Sequence, residues 1–358
     1  MLQDFLIFIL TGYLSLTNSL ALQIESLLPQ TGTDSYYSEL AESKEAVPLP
    51  TNNRRSIPDV LLRSAEYQQA ALAGSVGLTG ASTRDPFDAI VNVFCTLTDD
   101  RTIRTTTGTG FFIDPDGVIM TNAHVAQFLL LEETNDLGDA ECIIRSGNPA
   151  SPQYQAELLY LPPAWIQDNS SVLTDAMPMG TGERDYALLY VSERVDGTPL
   201  PATFPALGFN TDRLPLSARN DEVLAAGYPA APLLQDGPSA DLIPKKATTT
   251  VSELYTFSSN FADVFSIRGS VVGAEGSSGG PVLNDDGEVI GVIVTRGDDE
   301  IDGEGSLRAI TLSHIEQTME EETGFNLEEN LSGNLSFRSQ VFAQVMAPFL
   351  LTILQQNN

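Results

Sequence analysis

The chain carries two successive series of short β-rich runs, six in each, with no helical period between them. "AIVNVFCTL", "TGTGFFID", "GVIMTNAHV", "AECIIRS", "YQAELLYL" and "YALLYVS" fall between Ala89 and Ser192, and "EVLAAGYP", "KATTTVSELYTF", "DVFSIRG", "GPVLND", "EVIGVIVTR" and "SLRAITLS" follow. Apolar runs of this length, bounded by turn residues, read as strands. A βαβ enzyme would place a helical pattern between successive strands, so the series predict an all-β fold of two six-stranded antiparallel β-barrels. "IDPDGVI" and "LNDDGEV" each put Asp-rich turn chemistry and a glycine between apolar runs, as tight hairpins require. After the second series, "LSHIEQTMEEETG" predicts a C-terminal helix that begins at Ser313 and stops at Gly324.

The flanks differ from this core. The N-terminus has an apolar run from Phe5 to Leu16, with Ser19 and Ala21 spaced as signal peptidase prefers, which predicts a signal peptide over residues 1–21 and export, to the outside or the periplasm. No Lys or Arg precedes that run, Asp4 does, and the apolar stretch to Leu22 nearly reaches spanning length; an uncleaved membrane anchor is the alternative. Residues 22–85 are rich in Ser, Thr, Pro, Glu and Gln and read as a linker or pro-region, with one candidate helix at Ile57–Ala73 and a dibasic Arg54-Arg55. The first barrel is then expected over 86–200, the second barrel and its following helix over 201–325, and a partly helical tail over 326–358. Within the tail, "SQVFAQVMAPFLLTIL" reads as too short to cross a bilayer and is expected to dock on the protein or lie at an interface. Membrane contact is thus expected only through that stretch or an uncleaved 5–22.

Charge narrows the partners. With 18 Lys+Arg against 48 Asp+Glu the formal net charge is -30, and such a surface repels phosphate backbones and anionic headgroups, which argues against nucleic acid. The two cysteines, Cys95 and Cys142, are too few for a disulfide scaffold; in an exported chain they either pair or stay as buried thiols. The "NSS" at Asn169 and the "NLS" at Asn330 and Asn334 are glycosylation sequons in a glycosylating source.

Only two histidines exist. His124, in "IMTNAHVAQ", ends a strand among small residues, where its ring can face a cleft at a barrel rim; His314 starts the last helix, where a structural use is the default. Downstream of His124, Asp185 immediately precedes the apolar strand of "GERDYALLYVS", and further on "GAEGSSGGPV" offers Ser277 and Ser278 between glycines. Serine is a weak nucleophile until a neutral imidazole takes its proton, and that imidazole needs a carboxylate on its other nitrogen. Acyl transfer also builds an oxyanion, on which two backbone N–H groups must converge from a sharply turned loop free of side chains. Gly276 and the nucleophilic serine can supply these, with Gly279 and Gly280 letting the next strand pass close beneath.

"TGTGFFIDPDGVIMTNAHV", "RDYALLYV", "LAAGYPA" and "GSSGGPVLNDDGEVIGV" together resemble the chymotrypsin-fold (trypsin-like) serine peptidases, closest to the bacterial Deg/HtrA-like branch, over roughly residues 88–315. The resemblance implies that His124 is the general base, that Asp185 orients it and that the nucleophile is Ser278, the serine directly before Gly279-Gly280-Pro281, with Gly276 and Ser278 forming the oxyanion hole. It implies no cofactor and no metal, and protein or peptide substrates. It places Cys95 and Cys142 on the first and fourth strands of the first barrel, which pair in this fold, so a disulfide between them stands beside two free thiols as the alternative. Val294, Thr295 and Arg296 are implied to line the cleft and pair with substrate backbone. The acidic run "GDDEIDGEG" resembles a calcium loop, but Ala309 stands where its bidentate Glu should be, and it reads as a solvated loop near the primary pocket.

The sequence departs from that family in three places. Ser277 stands where Asn or Asp is usual, which suggests a less rigid loop; its side chain is not needed for backbone donors, so Ser277→Ala is expected to retain most activity. The connection from Tyr160 to Asp185 is long and holds the only tryptophan, Trp165, either as a lid or exosite or as a surface insertion. Residues 326–358 are too few for a PDZ domain. The resulting expectation is an exported serine endopeptidase acting through an acyl-enzyme. A catalytically silent, protease-like binding protein and a membrane-tethered protease are the alternatives.

Overall fold

The computed structural model describes residues 82–98, 103–133, 139–169, 182–237, 240–257 and 261–357. The signal peptide, the candidate helix at Ile57–Ala73, the dibasic pair and residues 170–181 of the long connection before Asp185 lie outside the described residues.

The first elements are β1 (Ser82–Thr83) and a one-turn helix α1 (Pro86–Ala89), which Asp85 caps by accepting from the Phe87 amide. Six strands follow: β2 (Ile90–Thr98), β3 (Ile103–Asp114), β4 (Val118–Thr121), β5 (Asp139–Ser146), β6 (Ser151–Tyr160) and β7 (Ala187–Arg194). They close into an antiparallel barrel in the order β2-β3-β4-β7-β6-β5, with β5 returning to pair with β2. A one-turn helix α2 (Ala123–Ala126) leaves β4, and α3 (Pro163–Asn169) leaves β6.

A short β8 (Ala206–Leu207) pairs parallel with β1 and leads into the second barrel. This barrel comprises β9 (Glu222–Gly227), β10 (Lys245–Tyr255), β11 (Val264–Ile267), β12 (Pro281–Leu283), β13 (Val289–Arg296) and β14 (Leu307–Thr311), with α4 (Ala231–Asp236) and α5 (Asp299–Asp302) in its loops. Its order is β10-β11-β14-β13-β12-β9, closed by β9 on β10. All twelve expected strands are present. The two Asp-rich turns are hairpins, with Gly117 (φ 92°) and Gly287 (φ 77°) in backbone conformations that side chains disfavour.

Helix α6 (Leu312–Thr323) begins one residue earlier than the sequence suggests. Thr311, not Ser313, is its cap, because the Thr311 hydroxyl accepts from the His314 amide at 3.2 Å. Gly324 ends it in the left-handed conformation (φ 82°). The tail continues as α7 (Leu327–Asn330), α8 (Leu335–Val341), a π-helical turn (Phe342–Met346) and α9 (Ala347–Asn357). The apolar helix is therefore longer than the sequence reading allowed: Leu335–Gln355 spans 21 residues, enough by length and composition to cross a membrane, with half of its most apolar window buried against the protein. Its inward side, including Phe342, Leu350 and Leu354, joins the cluster that fills the first barrel, while Val223, Val251, Phe265 and Ile293 form a separate core in the second.

Two of the three sequon asparagines have buried structural duties. Asn330 donates to Phe325 O and Asn326 O at 2.9 Å each, and Asn169 donates to Trp165 O. Asn334 caps α8 through the Phe337 amide. Trp165 is 1% exposed on α3 and part of the main core.

Candidate active site

His124 is not on the strand but on α2, the turn that follows it. Asn122 precedes α2 in extended backbone, and its side-chain Nδ2 donates to Asp185 O at 2.8 Å, tying the end of β4 to the entrance of β7. Asp185 is fully buried and grips His124 twice: Oδ1 accepts from the His124 amide at 3.0 Å, and Oδ2 lies 2.8 Å from ring Nδ1. An ionised carboxylate only accepts, so Nδ1 carries the proton in the neutral ring and Nε2 is left as the basic nitrogen. Gln127 donates to His124 O at 3.0 Å and holds the turn from its other end.

The serine loop comes from the second barrel and is fastened to the first by a residue that the sequence does not distinguish, Thr109 of β3. Its amide donates to Ser278 O at 2.7 Å, its hydroxyl donates to Gly276 O at 2.7 Å and accepts from the Tyr228 amide at 2.9 Å, and its carbonyl accepts from the Thr121 hydroxyl at 2.7 Å. Thr121 is the last residue of β4, three before His124. One buried threonine thus couples the serine loop to the strand that delivers the histidine. Gly108 marks the same junction: a Cβ built there would lie 3.3 Å from Ser278 O and 2.6 Å from a methyl of Val125, the residue after His124.

The loop is sharply folded. Gly276 (φ 90°) and Gly279 (φ 87°) both take the left-handed region, and a Cβ on Gly279 would come within 1.9 Å of Thr109 O. The close approach that Gly279 permits is to β3 of the first barrel rather than to the following strand; Gly280 does the equivalent against Ala226 of β9. The amides of Ser277, Gly279 and Gly280 donate to Ala274 O, Ile293 O and Ser277 O. Among the described residues those of Gly276 and Ser278 have no acceptor, which leaves two donors on the same turn. Ser278 is half-buried. Ser277 is fully buried, and its hydroxyl donates to Val272 O at 2.5 Å. That bond closes the loop on itself.

On β13 the Val294 side chain is buried, Thr295 is half-buried and Arg296 exposed. One edge of this stretch pairs with β14, Thr295 opposite Arg308 and Arg296 opposite Leu307. The pairing with β12 ends at Val292, so the other edge from Val294 to Arg296 has no strand partner among the described residues. Arg296 lies 3.7 Å from Asp299, and Asp298 caps α5, so the acidic run is a capped turn of helix with internal pairing. Among the described residues no group of three or more His, Cys, Asp or Glu side chains is arranged to hold a metal.

Cys95 and Cys142 face each other in the register of β2 and β5 and are joined by a disulfide with Cα atoms 4.0 Å apart. His314 forms a second histidine–aspartate pair, Nδ1 to Asp263 Oδ1 at 3.1 Å, with the Phe257 ring tilted against the imidazole at 5.2 Å between centroids. Burial lowers its pKa despite the opposing charge of Asp263. Asp263 is in turn held by the Thr256 hydroxyl and the Phe257 amide, which makes this pair a buried brace at the start of α6.

The fold is similar to that of the Rv3671c protease from M. tuberculosis in its active form, with 19% identity and a TM-score of 0.41, covering 70% of this chain and 87% of that one. A serine-to-alanine mutant of Rv3671c from M. tuberculosis H37Rv in an inactive form aligns at 18% identity and a TM-score of 0.39, covering 67% and 88%. No curated protein sequence matches the chain. Residues 108–292, more than half of the chain, match the trypsin-like peptidase domain. With two closed six-stranded barrels around that match, the chain belongs to the trypsin-like peptidases and is a serine peptidase.

Proposed function

We propose that this protein is an exported endopeptidase that cleaves peptide bonds through an acyl-enzyme on Ser278, with His124 as general base and Asp185 as its orienting carboxylate. Ser278 Oγ attacks the scissile carbonyl carbon as its proton passes to His124 Nε2, and the carbonyl oxygen becomes an oxyanion. The N–H groups of Gly276 and Ser278 receive that oxyanion, in line with their lack of acceptors among the described residues. Collapse breaks the C–N bond while the imidazolium returns the proton to the leaving amine. Water then repeats the sequence on the ester. Asp185 stays ionised throughout and stabilises the imidazolium it faces.

The observation that carries this reading is the doubly held His124–Asp185 pair on the barrel to which the Ser278 loop is fastened by Thr109. A silent binding protein has no physical need for a buried carboxylate on the imidazole together with two amides, that of Gly276 and that of Ser278 itself, left without acceptors among the described residues. The open edge of β13 from Val294 to Arg296 suits the backbone of an extended peptide, which would add as a strand. Export is supported by the apolar run at Phe5–Leu16 and by the Cys95–Cys142 disulfide, a bond that persists in oxidising compartments. The N-terminal mass of the mature protein tests export. Hydrolysis of an unfolded protein substrate by the wild type, and its absence in Ser278→Ala at unchanged thermal stability, tests the reaction.

A further inference from the structure

The residues on either side of Asp185 are anchored by α6, an element that the acyl-transfer chemistry does not use. Asp185 sits at the corner of a tight turn in which the Tyr186 amide donates to Arg184 O at 2.9 Å. Arg184 holds φ at 56°, a left-handed conformation that costs any residue with a Cβ and does not persist without support. Its side chain meets carboxylates on two sides. The Glu322 carboxylate on α6 is in ion-pair contact with Nε at 3.0 Å, without the alignment of a hydrogen bond, while Glu321 lies at 3.7 Å and Glu183 at 3.0 Å from the terminal nitrogens. Burial opposes the charge on Arg184, and Glu322 and Glu183 more than offset it, so its pKa is raised.

The other oxygen of Glu322 accepts from the Tyr160 hydroxyl at 2.7 Å, at the end of β6. On the far side of Asp185, the Tyr186 hydroxyl meets Thr318 Oγ1 at 2.9 Å. Thr318 already donates to His314 O one turn back on α6, so the tyrosine is the donor. Tyr160 and Tyr186 stack with centroids 6.1 Å apart. Glu322 and Thr318 lie on one buried face of α6, and through Arg184 and Tyr186 they fix both shoulders of the turn that aims Asp185 at His124.

We infer that Glu322 is a positioning residue for the peptidase reaction: through Arg184 it holds the strained turn that points the Asp185 carboxylate at the His124 ring. This inference rests on the triad proposed above. A residue that acts only on fold stability would change the melting temperature and leave turnover per folded active site alone. A positioning residue changes the imidazole–carboxylate bond itself.

The test is Glu322→Gln, which keeps size and an acceptor for Tyr160 but removes the charge. The expected outcome is a kcat per titrated active site lowered about tenfold with KM nearly unchanged, the scale on which a sub-ångström misplacement of a reacting group acts. In the resting enzyme, the low-field proton resonance of His124 Nδ1–H should shift upfield or broaden. Glu322→Asp should recover part of the loss. In the double variant Arg184→Gly/Glu322→Gln, glycine takes the left-handed turn without an ion pair, so kcat should return to within about threefold of wild type. Wild-type kcat and an unchanged Nδ1–H resonance in Glu322→Gln overturn the inference, as does a double variant worse than the single one. Should Glu322→Gln not fold, Glu322→Asp and the double variant carry the same measurements. Failure of the triad reading looks different: Ser278→Ala would then hydrolyse substrate as the wild type does. Failure of the positioning role leaves Ser278→Ala inactive and Glu322→Gln at wild-type speed.

Discussion

Asp185 holds His124 by two bonds, one to the ring and one to the main chain. The ring bond sets the tautomer and the amide bond sets where the ring stands, so the two functions are separable by substitution. Asp185→Asn keeps an acceptor for the His124 amide but presents an amide N–H or a weak acceptor to the ring. The expected result is a kcat lower by about three to four orders of magnitude with the fold retained, because the imidazole then favours the wrong tautomer. Steady-state kinetics beside a melting curve checks this.

Thr109 is the second lever. Thr109→Val preserves shape and the amide bond to Ser278 O but removes the hydroxyl that serves Gly276 O and the Tyr228 amide. Two buried groups lose their partner, at about 1–3 kcal/mol each before relaxation. Gly276 is also one of the two proposed oxyanion donors, so its carbonyl is no longer anchored. Thr109→Val should lose about ten- to a hundredfold in kcat as well as stability, whereas Thr109→Ser should keep both. Paired measurements of kcat and unfolding free energy on the two variants decide it.

The disulfide bridges β2 and β5 at a sequence separation of 47, where the first barrel closes. It restricts the unfolded chain, and its removal in Cys95→Ala/Cys142→Ala is expected to cost about 2–4 kcal/mol. The strands it joins, β2 and β5, carry none of the three proposed triad residues, so turnover at low temperature should persist. Denaturant unfolding of oxidised and double-alanine protein, with activity measured alongside, provides the check.

Stability should also carry a pH signature from the hairpin after β3. Burial raises the Asp114 carboxyl from 3.8 to about 6, with the neighbouring Asp116 charge adding to the shift and the Asp116 amide opposing it. As pH rises from 3.8 to 6 the unfolded chain releases this proton before the folded one, so the contribution of Asp114 to stability is present at low pH and lost through about pH 6. Asp114→Asn keeps the acceptor for the Asp116 amide without that loss. It should be more stable than wild type at pH 8, on the order of 1 kcal/mol after allowing for partial solvent exposure, and no more stable at pH 4. Melting curves at the two pH values measure it.

The barrels were legible because each strand's apolar run is short and bounded by turn residues, and because chain order alone separates two closed sheets of six from any βαβ arrangement. The pairing of His124 with Asp185 was accessible for a similar reason: both stand at the junction between a strand and a turn. Thr109 was not, because in "TGTGFF" it is one threonine among several and its four bonds reach residues 12 to 169 positions away, none visible as a local pattern. Glu322 was hidden likewise, lying in "MEEETG" among carboxylates that look solvent-facing. Trp165 misled in the opposite sense, since an aromatic in a long connection reads as displayed when a short helix in fact turns it into the core. The tail reads as too short when "SQVFAQVMAPFLLTIL" is taken by itself, whereas the helix starts at Leu335 and continues through a π-helical turn at Phe342–Met346.

Ser277 and Ser278 stand side by side, one buried and bonded to Val272 O, the other half-buried on the turn where its own amide and that of Gly276 have no acceptor among the described residues. A fluorophosphonate phosphonylates an activated serine far faster than an unactivated one. The most direct test of the account is therefore the peptide-level site of that adduct, mapped by mass spectrometry in wild type, Ser277→Ala, Ser278→Ala and His124→Ala. The adduct should sit on Ser278 in the wild type and in Ser277→Ala, and be absent from Ser278→Ala and His124→Ala. An adduct on any other residue, or undiminished labelling of Ser278→Ala, would contradict it.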